Sequence, residues 1–386
     1  MKPQTAASGS RWFRANLWLH RWSSLIATLP FLILCLTGAV LIFHEEIDAW
    51  LETVPVATAL PEGRAPQYNT AIDTVLERYP EQRVLSVGID PEHHPGVLLI
   101  VTAVAGESSF DDAGVHFADL ASGALTSDGS GSQTLTGFLL ELHAQWFLGP
   151  VGELVGALIA LLVLISLVSG VVVYAPYVKR IALGVLRRGR GARLLQLDLH
   201  NFVGVIVLGW LFVVTLTGFL LGFSTVALGL WQMTALEANR ERFDVLEAVD
   251  ARRPPLELAG VFEQANTAAD PGWQVSTVIF PGTDFSTPRH YTVLLTGGEG
   301  IEQSLFRVLL VDAATGDIAE SLSVPVYFKA ILLSEPLHFG DYGGLPLKIL
   351  WTASTLMAFF ITANGAWLWW DRRRRTGRRS RREVSA

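Results

Sequence analysis

Four long apolar stretches limit the fold of this chain more than any other feature of the sequence. They fall at about 18–44, 151–175, 200–223 and 345–370. Each has the roughly 20 residues that a helix needs to cross a bilayer about 30 Å thick. We therefore predict four transmembrane helices, and the low charged fraction of 17%, against about 25% in soluble domains, agrees with this.

Basic residues are concentrated on one side of these helices. Eighteen of the 29 Lys and Arg residues lie in three segments, 1–21, 176–199 and 371–386. An excess of Lys and Arg near helix ends marks the cytoplasmic side. The sequence thus predicts a membrane protein with a cytoplasmic N-terminus (1–17), middle loop (176–199) and tail (371–386). Residues 45–146 and 224–344 would lie outside, in the periplasm if the cell is a Gram-negative bacterium. The net charge of −7 argues against nucleic acid as a partner.

The chain contains an internal duplication. Two histidines are followed by a glycine after 18 residues, and two others after 27 residues. The pairs are His20 with Gly38, His200 with Gly218, His143 with Gly170, and His338 with Gly365. The matched spacings predict two parallel repeats, each made of a helix, an outer domain and a second helix. Such repeats are related by an axis along the membrane normal, so we expect a four-helix bundle.

The two outer segments have the patterns of small α+β domains, which makes the predicted fold class membrane α+β. Helical spacing predicts helices at 68–78 and 256–264. Runs rich in β-branched residues predict strands at 97–104, 115–124, 273–279, 291–295 and 306–311.

The four histidines form two symmetry-related pairs in the predicted topology. His20 and His200 lie at the cytoplasmic ends of the first and third helices, and His143 and His338 lie just before the second and fourth. Neutral imidazole is a common metal ligand, and two imidazoles facing across one axis suit the axial positions of a haem iron. We predict two haem b groups, one at each pair. The single cysteine, Cys35, excludes an iron–sulfur cluster within the chain.

Glycine and arginine residues near these pairs are candidates for contact with a porphyrin. Each predicted haem would have two histidines from one helix pair and two glycines from the other, so Gly38, Gly218, Gly170 and Gly365 could let the ring lie against the backbone. Small residues at helix contacts explain these glycines equally well. Arg21 could pair with a haem propionate or extend to the lipid headgroups.

The remaining histidines have weaker claims to a role. We expect His44 to be structural or interfacial. We expect the histidines of the outer domains, His93, His94, His116 and His290, to be surface or loop residues.

The motifs around the histidines resemble those of a known family. They are Leu19-His20-Arg21-Trp22 with Leu36-Thr37-Gly38, Leu142-His143, Asp198-Leu199-His200-Asn201, and Pro336-Leu337-His338-Phe339-Gly340. This set, with an Asp-x-x-Ser/Thr-Gly pattern in each outer segment, resembles the PepSY-associated transmembrane family. Its members include iron-regulated membrane proteins and ferric-siderophore reductases with two b-type haems. The resemblance implies PepSY-like outer domains and electron transfer across the inner membrane to an Fe(III)–siderophore, for iron uptake.

Three functions are compatible with the sequence. The first is a dihaem reductase whose electron donor is quinol or a flavoprotein. The second is a non-redox PepSY module for binding or regulation, anchored by the bundle. The third is a transporter of a metal or chelate, which would require polar residues along the helices, and these are scarce. A copper or zinc site would need three or four converging ligands, whereas the sequence predicts pairs.

Overall fold

The chain divides into two compact units in a computed structural model that describes residues 10–384, except 54–56, 58–59, 62, 91–93, 112, 129–133, 179–183, 244 and 298–303. The helical bundle comprises the described residues of Met1–Phe43, Leu139–Phe223 and Ser334–Ala386. The sheet unit comprises those of His44–Phe138 and Ser224–Leu333.

The helices and strands have the following bounds. The α-helices are α1 (Arg11–Leu41), α2 (His44–Trp50), α3 (Tyr68–Arg78), α4 (Leu135–Leu140), α5 (Pro150–Val178), α6 (Ala192–Leu221), α7 (Ser224–Trp231), α8 (Glu237–Phe243), α9 (Leu258–Ala268), α10 (Val326–Phe339) and α11 (Gly344–Val384). The strands are β1 (Gln82–Ile89), β2 (Val97–Val104), β3 (Gly114–Asp119), β4 (Leu125–Asp128), β5 (Trp273–Ile279), β6 (His290–Gly297), β7 (Phe306–Asp312) and β8 (Ile318–Leu322).

Four helices in the described part of the chain, α1, α5, α6 and α11, are long and apolar enough to cross a membrane. The shortest of these spans has 28 residues, which at 1.5 Å per residue is about 42 Å. The prediction of four spans is confirmed. Helix α6 begins at Ala192 rather than at 200, because its first turns carry polar residues that the hydropathy pattern does not include. Helix α11 continues through the basic tail to Val384.

The four helices pack as a ring in which each contacts two neighbours. Helices α1 and α6 both pack against α5 and against α11. The two repeats therefore place α1 diagonally opposite α6, and α5 diagonally opposite α11. At the centre Cys35 packs with Val207, Leu211 and Ala358, all of them buried.

The eight strands form one antiparallel sheet in the order β4-β3-β2-β1-β5-β6-β7-β8. Each repeat supplies one half, and β1 pairs with β5 at the seam, with Val87 opposite Val278. The sequence predicts an outer domain in each repeat, whereas the structure joins both repeats in one sheet unit. Pairing β1 with β5 covers an edge of each half that would otherwise be exposed.

The two halves of the sheet unit share one core and the same turn. Helices α3 and α9 lie side by side, and the rings of Tyr68 and Phe262 stack with centroids 4.3 Å apart. Asp119 Oδ1 accepts hydrogen bonds from two backbone N–H groups of its turn, as Asp312 Oδ1 does in the other half. The two turns thus have the same hydrogen bonds, as the predicted duplication leads us to expect.

Most of the predicted elements lie where the sequence places them. The bounds of α3, β2 and β5 agree with the prediction. The strand predicted over 115–124 ends at Asp119, because the turn that follows requires Gly123 in the left-handed region, at φ +72°. The helix predicted over 256–264 lies at Leu258–Ala268.

Candidate functional site

The structure places His20 and His200 on the walls of one cavity in the bundle. His20 donates from Nδ1 to the carbonyl oxygen of Ser166 on α5, at 2.8 Å. Ile361 on α11 is the repeat equivalent of Ser166, and its carbonyl group lies near His200. His200 Nδ1 is buried and has no hydrogen-bond partner among the described residues. One imidazole of this inner pair is therefore held firmly, and the other is held less tightly.

The cavity lined by the inner histidines has a volume of about 1010 Å³, at the upper end of the range for ligand pockets. Phe31, Val163 and Leu211 are among its apolar wall residues. Its lining also includes five arginines, namely Arg21, Arg187, Arg193, Arg372 and Arg373. The site therefore combines an apolar interior with cationic groups.

Two of these arginines belong to ion pairs. Arg187 donates from Nη2 to Asp198 Oδ1 at 2.5 Å, and Arg193 pairs with Asp371 at 3.0 Å. The side chain of Asp198 is 6% exposed and lies two residues before His200, so the Arg187 pair fixes the start of α6. Arg21 lines the cavity, with its guanidinium 5.5 Å from the centroid of the Trp22 ring. Contact of Arg21 with a propionate stays a prediction.

His143 and His338 lie close together in the bundle, with their rings edge to face. Their ring centroids are 6.2 Å apart, and the ring planes are inclined at 66°. The structure thus brings together the pair that the repeat predicts.

Each outer histidine is held through Nδ1 by the first long helix of its own repeat, His143 by α1 and His338 by α6. His143 Nδ1 lies 2.8 Å from Thr37 Oγ1, and Thr37 itself donates to the carbonyl oxygen of Ile33 at 2.9 Å. His338 Nδ1 donates to the carbonyl oxygen of Val214 at 2.9 Å and lies 3.2 Å from Thr217 Oγ1. Because Nδ1 carries the proton in this arrangement, Nε2 keeps the lone pair that a metal ligand needs.

All four glycines predicted from the repeat contact histidine rings. A Cβ atom would lie 3.1 Å from His143 Cε1 if added to Gly38, and 2.9 Å from His338 Cε1 if added to Gly218. A Cβ atom added to Gly170 would lie 3.1 Å from His20 Cε1, and one added to Gly365 would lie 3.3 Å from His200 Cε1. The glycines therefore make room for imidazoles of the neighbouring helices. Their contact with a porphyrin stays a prediction.

The hydroxyl groups of Thr37 and Thr217 and the carbonyl group of Ser166 are site groups that the sequence analysis missed. The threonines could have been found, because a Leu-Thr-Gly triplet occurs at the same place in both repeats. The Ser166 contact uses a main-chain oxygen, which every residue has, so the sequence does not indicate it.

The backbone around His143 is irregular. His143 lies in a π-helical turn, Glu141–Gln145, a form that is frequent at functional sites. Trp146 and Phe147 follow with φ of 52° and 56°, which is a strained region for bulky residues. This local strain holds His143 in place ahead of α5.

The other histidines lie in the sheet unit, and two of them are not surface residues. His116 is 4% exposed and His290 is 1% exposed, so the surface prediction is wrong for both. His116 Nε2 lies 2.8 Å from Thr102 Oγ1, and burial lowers the pKa of His290. Both are core imidazoles on strands, each with a hydroxyl partner. His94 is exposed, His44 begins α2, and His93 lies outside the described residues.

Comparison with known proteins gives the chain a family. The model of the PepSY-associated TM region matches residues 17–372, nearly the whole chain. The chain belongs to this PepSY-associated family. It is a multi-pass membrane protein of that family. A relative from Pseudomonas aeruginosa, the uncharacterized protein PA4219, is 26% identical over 264 residues. That alignment covers 61% of this chain and 63% of the relative, slightly less than two thirds of the relative's length.

Proposed function

We propose that this PepSY-associated protein is a dihaem membrane cytochrome b that transfers electrons across the bacterial inner membrane. In this proposal an inner donor, quinol or a flavoprotein, reduces the site at His20 and His200. The electron then passes to the site at His143 and His338 and reduces an Fe(III)–siderophore on the periplasmic side. The observation that carries the proposal is the close approach of His143 and His338, which come from opposite repeats, and it is supported by a shared cavity lined by His20 and His200.

The spacing of the outer pair fits a metal ion held between two imidazoles. Metal–nitrogen distances of about 2 Å place two axial nitrogens roughly 4 Å apart, with each ring centroid about 1 Å further out. The centroid separation expected from this is close to the 6.2 Å between His143 and His338. The Nδ1 hydrogen bonds of both residues leave Nε2 for the iron.

The surroundings of the inner pair fit the cofactor as well. The cavity has the volume and apolar walls of a ligand site, and its arginines suit carboxylate groups such as propionates. Arg21 is our candidate for this contact. No group of three or more His, Cys, Asp or Glu side chains in the described part of the chain is arranged to hold a metal ion, so the pairs are the available donors.

The residues of the chain have distinct tasks in this proposal. A haem at each pair supplies reversible one-electron transfer. His20, His200, His143 and His338 would hold the irons of the two haems. Thr37, Thr217 and Ser166 keep the proton on Nδ1, and the glycines let the imidazoles pack tightly between helices. Apolar side chains such as Phe31 and Leu211 exclude water from the inner site.

The proposal is tested by electron transfer through sealed vesicles. Proteoliposomes containing the purified protein are loaded with dithionite, and an Fe(III)–hydroxamate chelate is added outside with ferrozine, which reports Fe(II). We expect coloured Fe(II)–ferrozine outside the vesicles with the wild-type protein and its loss in His143→Ala and His200→Ala.

His44→Ala is the matched control, because His44 lies outside both pairs, and it should retain the wild-type rate. A wild-type rate equal to that of protein-free vesicles would contradict the proposed reductase. A purified protein without colour would favour the non-redox binding or regulatory function.

A further inference from the structure

The two histidines of the inner pair differ in the groups that hold them. His20 Nδ1 lies 2.8 Å from the carbonyl oxygen of Ser166 and 3.2 Å from its hydroxyl oxygen. In the second repeat Ile361 takes the place of Ser166, as His338 takes that of His143. His200 therefore has no hydroxyl at this position, and its Nδ1 makes no hydrogen bond to the part of the chain that the structure describes.

The outer pair follows the pattern of His20 and not that of His200. His143 Nδ1 lies 2.8 Å from Thr37 Oγ1, and His338 Nδ1 lies 3.2 Å from Thr217 Oγ1. A group bonded to this nitrogen orients a metal-ligating histidine, and its loss typically costs 10–100-fold in metal affinity. Of the four candidate ligands, His200 is thus the one that we expect to leave a metal most readily.

The second difference is the space one helical turn further along. The residue four positions after His20 is Ser24, whereas the residue four positions after His200 is Gly204. Residues at this spacing share a helix face, and both of these line the inner cavity. A Cβ atom added to Gly204 would have no neighbour within 4 Å among the described residues. The ring of His200 therefore has open space on its own face of α6.

The walls near this space suit an uncharged ligand. Val205 and Leu208, on the same helix as Gly204, line the cavity together with Phe31. A charged ligand would lose its hydration among such side chains, whereas apolar cavities admit small uncharged molecules. Pocket polarity and steric access decide which external ligands a haem iron takes, and reduced iron prefers ligands that accept π electrons.

We propose that His200 is the exchangeable ligand of the inner site, and that a small uncharged π-acceptor such as carbon monoxide binds the reduced iron in its place. This inference rests on the proposed function, because it requires a haem at the inner pair. The bond from Fe(II) to Nε2 of His200 breaks, and one bond from the iron to carbon forms. No electron or proton moves: the imidazole leaves neutral, with its proton on Nδ1, and His20 stays bound. Such a ligand stabilises Fe(II), so its binding would stop electron transfer at the inner site.

A titration with carbon monoxide tests the proposal. The purified full-length protein is reduced with dithionite, and the difference spectrum is recorded at increasing carbon monoxide. Haem is counted on the same sample by the pyridine haemochrome assay. We expect one carbon monoxide bound for every two haems. Two haems per chain without any carbon monoxide spectrum would overturn this inference and leave the proposed cytochrome standing, whereas a protein without haem would overturn both.

Ile361→Ser supplies the hydroxyl that the second repeat lacks. Ser166 Oγ lies 3.2 Å from His20 Nδ1, so we expect the new hydroxyl to reach His200 Nδ1. Ile361→Ala is the matched control, because it removes the same side chain and differs from Ile361→Ser only by one oxygen. Half-saturation should need about tenfold more carbon monoxide in Ile361→Ser than in Ile361→Ala, the lower end of such orienting effects. Equal half-saturation in the two variants would contradict the proposal.

Gly204→Ser places the serine of the first repeat in the open space beside His200. Gly209→Ser is its control on the same helix, since a Cβ there also has no described neighbour within 4 Å and Gly209 is not one of the residues lining the cavity. We expect a higher half-saturation concentration in Gly204→Ser and the wild-type value in Gly209→Ser. Equal values in both would contradict a role for the space at Gly204.

Variants with one haem locate the bound ligand. His143→Ala should keep the inner haem and bind one carbon monoxide per remaining haem. His20→Ala should keep the outer haem and bind none. The reverse result, with binding in His20→Ala and none in His143→Ala, would overturn the proposal. If Ile361→Ser does not fold, Gly204→Ser decides, because its side chain enters open space.

Discussion

Single residues set the geometry of the histidine pairs through contacts that tolerate little change. Each imidazole packs against a glycine of a neighbouring helix, and three of the four bond through Nδ1 to an oxygen. Apolar neighbours alone would leave an imidazole side chain free to take several orientations. For the three hydrogen-bonded histidines, close packing on one side and a hydrogen bond on the other select a single orientation.

Gly218→Ala should disturb the outer pair. The added methyl group would lie 2.9 Å from His338 Cε1, and overpacking of this kind typically costs 1–3 kcal/mol. We expect a lower thermal midpoint and loss of haem from the outer site. Gly209→Ala is the control on the same helix, because its Cβ would have no neighbour within 4 Å. Equal thermal midpoints and equal haem contents in the two variants would show that the contact of Gly218 with His338 does not stabilise the outer site.

Thr37→Val should weaken the hold on His143 at nearly constant volume. It removes the acceptor for Nδ1, and losing the group that orients a metal-ligating histidine typically costs 10–100-fold in affinity. We expect haem to leave the outer site at a lower concentration of competing apo-myoglobin. Thr352→Val is the control, since the Thr352 hydroxyl donates to the carbonyl oxygen of Lys348 on its own helix. Unchanged haem retention in Thr37→Val would contradict an orienting role.

The sequence predicts the histidine pairs because the spacing between histidine and glycine is the same in both repeats, although most other residues differ. It predicts the glycines for the same reason, but not what they contact. The carbonyl partners of His20 and His338 are not predictable, since every residue has a carbonyl group. The sequence analysis missed the burial of His116 and His290 because the presence of a histidine in a strand does not show whether its face of the sheet is buried or exposed.

At the scale of elements, the seam between β1 and β5 turns two small repeats into one sheet. A four-stranded half with one helix would expose an edge and much of its apolar face. Strand pattern predicts which residues face the core, but edge pairing depends on which strands meet in space. The sequence therefore predicts β2, β3, β5, β6 and β7, but misses β1, β4 and β8 and the continuous sheet.

Leu98→Ala in the first half and Leu258→Ala in the second should destabilise the same cooperative unit. Both side chains are almost fully buried in the shared core, and Leu→Ala at such sites typically costs 2–5 kcal/mol. Hydrogen exchange measured by mass spectrometry should show β2 and β6 losing protection together in either variant. Val104→Ala, at a residue 58% exposed, should change little. Loss of protection confined to the mutated half would mean two independent domains.

At the scale of the whole molecule, the charge pattern predicts which loops lie on which side of the membrane. Cys35 is buried, so single cysteines introduced elsewhere can be labelled cleanly. In spheroplasts an impermeant maleimide should label Ala268→Cys, on the exposed side of α9, and should not label Arg190→Cys until the membrane is opened. Labelling of Arg190→Cys in sealed spheroplasts would reverse the predicted orientation.

The central claim is that each histidine pair holds one haem, and haem counted per polypeptide tests it most directly. A pyridine haemochrome assay on the purified protein, with a dithionite-reduced difference spectrum, should give two haem b per chain. His20→Ala and His143→Ala should each give one, and the double variant none, while His44→Ala keeps two. A wild-type protein without haem, or one whose haem content is the same in all of these variants, would contradict the claim.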